Sequence, residues 1–88
     1  MAKMDFTTEF YDAILTLKTR EELEQFFADA CTPKEINTIA QRFVVAKLLN
    51  EKKVYNEIIE ATGASTATIS RVSRAINKGF QTVFGRLK

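Results

Sequence analysis

Apolar residues recur along the chain at helical spacing, in blocks separated by start and stop signals. Phe10, Ile14 and Leu17, with Ala13 beside them, predict a first helix that begins after Thr7-Thr8 and closes near Lys18. Thr19-Arg20-Glu21-Glu22 fits a capping box, in which a hydroxyl and a carboxylate satisfy free backbone N–H groups. It opens a second helix whose apolar face is Leu23, Phe26 and Phe27, continuing through Ala30 toward Cys31. Thr32-Pro33-Lys34-Glu35 combines an N-cap Thr, a Pro at the first helical position and a Glu at the third. That third helix is expected to run to about Asn50. Ile36, Ile39, Ala40, Phe43, Val44, Ala46 and Leu48, with Val45 and Leu49 between them, make it apolar around much of its girth. Such a helix is expected to be central and covered on more than one side.

Glu51-Lys52-Lys53 is a polar break, and Val54 to Ala61 reads as a short fourth helix with Ile58 and Ile59 inward and Glu57 and Glu60 outward. Thr62-Gly63-Ala64-Ser65 is a turn in which Gly63 can take the left-handed conformation. Ser65 then caps a fifth helix, expected from Thr66 to about Lys78 with Gly79 as its stop. Phe80, Val83, Phe84 and Leu87 are spaced for a last short helix, weakened by Gly85. The fold expected is an all-α bundle of five to six helices forming one domain over residues 1–88.

Composition adds to this picture without altering it. Hydrophobic residues are 45% of the chain and charged residues 27%, a globular balance rather than a disordered one. Three Gly and one Pro are too few for a turn-rich β architecture. A core built from 88 residues is modest, so a large interface between copies is a natural source of further stability. The single cysteine, Cys31, cannot form an internal disulfide, no apolar run is long enough to span a membrane, and Met1-Ala2-Lys3-Met4-Asp5 has no signal-peptide apolar region. A cytoplasmic location is expected.

Charge is distributed unevenly. Residues 1–60 carry 8 basic and 11 acidic side chains, whereas residues 61–88 carry Arg71, Arg74, Lys78, Arg86 and Lys88 and no acidic residue. A basic end on an acidic body orients a protein toward phosphate, although a solvated basic helix has the same composition.

The stretch from Val54 to Ile76 reads as helix, tight turn, helix. Ile58 and Ile59 anchor the first helix, Gly63 makes the turn, and Ile69 and Val72 anchor the second against the first. The exposed side of the second helix is expected to open with Ser65, Thr66, Thr68 and Ser70, around the small Ala67. Small side chains let a helix N-terminus approach a groove, hydroxyls reach base edges and phosphates, and the helix N-terminus itself favours phosphate. Arg71 and Arg74 follow, long enough to reach backbone oxygens. This is the arrangement of a helix-turn-helix recognition helix in the major groove of double-stranded DNA, with helix-turn-helix limits near 54–78. The DNA-contacting set expected is Tyr55, Asn56, Ser65, Thr66, Ala67, Thr68, Ser70, Arg71, Arg74 and Lys78. One departure from the common pattern is Ile59, four residues before Gly63, where a small Ala usually lets the helices cross closely.

Two segments resemble the Trp repressor superfamily, most closely its YerC/YecD branch. Cys31-Thr-Pro-Lys-Glu-Ile-Asn-Thr-Ile-Ala-Gln-Arg42 is similar to the family's Leu-Thr-Pro-Asp-Glu opening of a long central helix. Gly63-Ala-Ser-Thr-Ala-Thr-Ile-Ser-Arg71 is similar to its Gly-x-x-x-Ala-Thr-Ile-Thr-Arg recognition helix. The resemblance implies an intertwined homodimer with Phe10, Ile14, Leu17, Leu23, Phe26 and Phe27 mainly in the dimer core, a monomer core being the other reading of the same residues. It implies a near-palindromic operator, with half-sites about 34 Å apart. It also implies a corepressor site in which Arg42 and Arg71 sandwich an aromatic ring with Thr32 at the rim. Three departures speak against tryptophan as that ligand: Val72 stands where sensing members have Gly, Ala75 where they have Ser, and the turn before the fourth helix is one residue shorter. Arg42 and Arg71 are left with three roles, on a phosphate, on an internal carboxylate or on another small molecule. No cofactor is expected.

The reading that follows is a sequence-specific transcription regulator, in the sense of a repressor by occlusion. The alternative is a helix-turn-helix that docks a protein or serves a DNA transaction run by other chains. An enzyme is not expected. There is no His to activate Cys31, which reads as a small apolar residue beside a helix cap. Glu21, Glu22, Glu24, Glu57 and Glu60 are scattered over helix exteriors, and no Cys/His cluster fits a metal.

Overall fold

The computed structural model describes residues 3–87, and every regular element among them is helical: α1 (Phe6–Leu15), α2 (Arg20–Ala30), α3 (Pro33–Asn50), α4 (Tyr55–Thr62), α5 (Thr66–Ala75) and α6 (Lys78–Arg86). Met1, Ala2 and Lys88, the last of which belongs to the basic C-terminal set, lie outside the described residues. The chain divides into two compact units, one up to Lys34 and one from Glu35.

In the N-terminal unit α1 starts earlier than the apolar spacing suggests, because Asp5 is its cap. The Asp5 carboxylate accepts the Thr8 N–H at 3.3 Å and the Thr7 and Thr8 hydroxyls at 2.8 and 2.9 Å. The helix also ends earlier, at Leu15, so Leu17 lies in the turn after it. At α2 the Thr19 hydroxyl accepts the Glu22 N–H at 3.1 Å as the capping box requires. The reciprocal bond is displaced by one residue: Glu22 accepts the N–H of Lys18, at 2.7 Å, rather than that of Thr19. Phe10, Phe26 and Phe27 form an aromatic cluster with ring centroids 5.4 to 6.2 Å apart. Yet no residue of α1 or α2 is buried, and Phe6 and Leu15 are each 81% exposed.

The C-terminal unit holds the core. Val45, Ala46, Ile58, Ala64, Ile69, Val72 and Phe84 are buried, and Phe43, Leu48, Leu49, Ile59, Ile76 and Phe80 pack around them. α3 has the limits its cap and proline predict. It is not covered on more than one side as expected: only Val45 and Ala46 are buried, while Ile39 and Val44 are exposed. Burying the rest of its apolar girth would take surface that this unit does not supply.

α3 stops at a Schellman motif that contains no glycine. The Lys53 N–H donates to the Leu48 carbonyl and the Lys52 N–H to that of Leu49, with Lys52 in the left-handed region at φ 65°. α4 ends as predicted, on Gly63 at φ 73°, whose N–H donates to the Ile59 carbonyl. A Cβ on Gly63 would meet nothing within 4 Å, so φ, not space, is what asks for glycine there.

α5 is shorter than expected. It ends at Ala75, Ile76 is extended, and the Asn77 side chain caps α6 by accepting the Lys78 N–H at 2.9 Å. Gly79 therefore lies inside α6 rather than stopping α5. Ile76, in the extended break, and Phe80, on α6, both pack against the core.

Candidate nucleic-acid interface

The α4–α5 corner is held by a set of short-range bonds around the turn. The Thr62 hydroxyl donates to the Ile58 carbonyl at 2.7 Å and accepts the Ala64 N–H at 3.1 Å. From α3, the Gln41 side-chain amide donates to the Thr62 carbonyl at 3.0 Å. Ala64 is buried, and Ser65 then caps α5 by accepting the Thr68 N–H at 3.1 Å. Ile58 and Ile69, both 0% exposed, seal the corner. Gln41 lies outside the set expected from sequence; a polar side chain on the apolar girth of α3 is the signal that could have found it.

With Ile69 and Val72 inward, the helical repeat of α5 turns Ala67, Ser70, Arg71 and Arg74 outward. Thr66, Ala67, Arg71 and Arg74 are exposed, as are Ser65 on the cap and Asn56 at the start of α4. Ser73 is exposed as well, but it follows the buried Ile69 by one helical turn and so lies off that outward face.

Two residues expected on the open face are partly covered. Thr68 is half-buried, and its hydroxyl accepts that of Ser65 at 3.1 Å. Ser70 is half-buried beside Tyr55 of α4, the two hydroxyl oxygens being 3.4 Å apart. Lys78 is exposed but stands on α6, beyond the break at Ile76, not on α5. The corner itself therefore spans α4 and α5, Tyr55 to Ala75.

A cavity of about 310 Å³ opens beside α5, lined by Arg42, Arg71, Val72, Ala75 and Phe80. Its lining holds two arginines and no acidic side chain. It brings together both arginines expected to form a clamp and Val72 and Ala75, two of the three departures from tryptophan-sensing sequences. Phe80 is a further addition; it arrives because α6 begins early. Thr32 belongs to the N-terminal unit and is not part of this lining. Arg71 serves two surfaces, standing on the outward side of α5 and at the cavity wall. Among the described residues, no group of three or more His, Cys, Asp or Glu could hold a metal ion, and no helix is long and apolar enough to cross a membrane.

Residues 6–87 match the model of the Trp repressor protein family. YerC of Bacillus subtilis is 51% identical over 71 residues, a stretch that covers 81% of this chain and 68% of that one. A TrpR-like protein from Eubacterium eligens has a crystal structure that superposes with a TM-score of 0.91 at 49% identity, covering 97% of this chain and 91% of that one. A candidate Trp repressor from Staphylococcus aureus superposes with a TM-score of 0.90 at 43% identity, covering 97% and 88%.

Proposed function

The chain belongs to the Trp repressor family, a family of DNA-binding regulators, and from that premise we propose that it is a sequence-specific transcription regulator. It acts as a repressor by occlusion, as a homodimer, in the cytoplasm. The observation that carries this reading is the α4–α5 corner. Its buried side is Ile58, Ile69 and Val72, and its outward side is small at Ser65, Thr66 and Ala67, polar through the Ser65 and Thr66 hydroxyls, and cationic at Arg71 and Arg74. A small polar N-terminal turn admits the helix to the major groove, where Thr66 and Ala67 come closest to base edges. The arginines take phosphates on either side, and Asn56 and Lys78 add backbone contacts. Thr68, engaged with Ser65, serves the cap first and base edges second.

The dimer rests on the aromatic residues of α1 and α2, none of which is buried by its own chain. A second copy intertwined with them would cover this surface and place two recognition helices about 34 Å apart on a near-palindromic operator. The cavity beside Arg71 takes a small anionic effector, with Arg42 and Arg71 as its counter-charges. The Val72 side chain in the wall and the loss of a hydroxyl at Ala75 argue against tryptophan. Because Arg71 also stands on the outward face, an occupant of the cavity would bear directly on DNA contact.

Fluorescence anisotropy with a labelled duplex tests the reading. Wild-type protein should bind tightly at low salt, with log affinity falling linearly as log salt rises. Arg74→Ala should weaken binding to every sequence and lower that slope by about 0.9. No binding at low salt would move the reading to a protein-docking corner.

A further inference from the structure

We propose that Tyr55 and Ser70 form a single phosphate clamp, in which two hydroxyls from the two helices of the corner close together on one DNA phosphate oxygen; this rests on the DNA-binding reading above. Their oxygens are 3.4 Å apart, longer than the usual separation of about 2.8 Å between hydroxyls that bond each other. Each hydroxyl has one proton to donate and two lone pairs. Whichever of the two donates in this long contact, the other O–H has no acceptor within the pair. A third oxygen can sit about 2.8 Å from both at once, at the apex of a triangle whose base is the 3.4 Å separation. An anionic oxygen there accepts two O–H bonds in place of one stretched neutral one, and bonds to a charged acceptor are the stronger kind.

The surroundings favour phosphate over a base edge. Ser70 and Arg74 are four residues apart and share a face of α5, so a cation stands one turn from the pair. The pair joins the first turn of α4 to the middle of α5, whereas the residues nearest the groove floor, Thr66 and Ala67, lie at the start of α5. The carboxylate on this turn of α4, Glu57, is turned to the Val54 N–H at 3.2 Å. Tyr55 and Ser70 thus leave base reading to Thr66 and Ala67 and instead fix how deeply the corner sits on the backbone.

The test is a double-mutant cycle by anisotropy on one duplex across a salt series, with wild type, Tyr55→Phe, Ser70→Ala and the double variant, and with thermal melting of each. Each single variant should lose about tenfold in affinity. The double variant should lose less than the product of the two single losses, because either hydroxyl alone is poorly oriented. The salt slope should stay at the wild-type value, since no charge is removed. Unchanged affinity in either single variant, or losses that simply multiply, would overturn the shared clamp. A flattened slope with a lowered melting temperature would also overturn it, showing instead that the contact holds α5 in place and that the arginine contacts go with it. Failure of the wild type to bind any duplex would remove the DNA reading itself, a result distinct from all of these.

Discussion

Single side chains set the ends of these helices, and one of them, Lys52, does so against its ordinary preference. It holds a left-handed conformation that an L side chain adopts at a cost, because the Schellman bonds to Leu48 and Leu49 require it. Lys52→Gly should therefore stabilise the fold by about 1 kcal/mol, and a melting experiment should show a rise of about 4–8 °C. No rise would mean that the turn relaxes when the lysine is released. The reverse holds at Gly63, where Gly63→Ala should destabilise by about 1 kcal/mol through φ alone. Asp5 behaves as an ionised cap: the Thr7 and Thr8 hydroxyls and the Thr8 N–H hold its carboxyl below the usual aspartate range. Its contribution to α1 is complete above the unfolded-state value and is lost as pH falls through the lower folded value. NMR titration of the Asp5 carboxyl should show that depressed midpoint; an ordinary one would contradict the cap. Gly63 and the Thr19 cap are legible in the sequence because residue type announces them. Lys52 is not, because nothing about a lysine marks a left-handed position.

At the scale of elements, the sequence is most informative where apolar spacing and a cap coincide. Thr32-Pro33 and Ser65 fix the starts of α3 and α5 because each lies directly before an apolar face. The junction of α5 and α6 misleads because Gly79 looks like a stop, while the operative signal is Asn77, a good N-cap. Its consequence is positional: Lys78 lies on α6 rather than α5, and Phe80 enters the wall of the arginine-lined cavity. How the hydroxyls of α5 are placed is equally hidden in the sequence, since Thr68 is engaged by Ser65 through a bond that only the folded cap creates, and Ser70 stands 3.4 Å from a tyrosine hydroxyl fifteen residues away. On the proposed reading, base preference falls accordingly to Thr66 and Ala67. Thr66→Ala should relax the preference at one or two base positions while leaving the salt slope unchanged, as read by affinity for single-base variants of a preferred duplex. A uniform loss across sequences would place Thr66 on phosphate instead.

For the whole molecule, the question is what covers the apolar surface that each unit leaves open. The C-terminal unit closes its own core around Ile58, Ile69 and Phe84. The N-terminal unit buries no side chain of α1 or α2, although it carries three clustered phenylalanines. Periodicity shows which residues of α1 and α2 are apolar; it does not show whether they face the same chain or another copy, because both give the same spacing. Sedimentation should find twice the chain mass, and Phe26→Ser should shift the protein toward monomer and weaken DNA binding together. A stable wild-type monomer would contradict the dimer while leaving the α4–α5 corner intact.

Whether the α4–α5 corner reads sequence is decided by selection of bound duplexes from a random pool by the purified protein. The selection should return a near-palindromic consensus with half-sites about one helical turn apart, and the same consensus with and without tryptophan. A pool that stays random while the protein still binds duplex would contradict sequence reading, and a consensus that emerges only with tryptophan would contradict the proposal that Val72 and Ala75 disfavour that ligand.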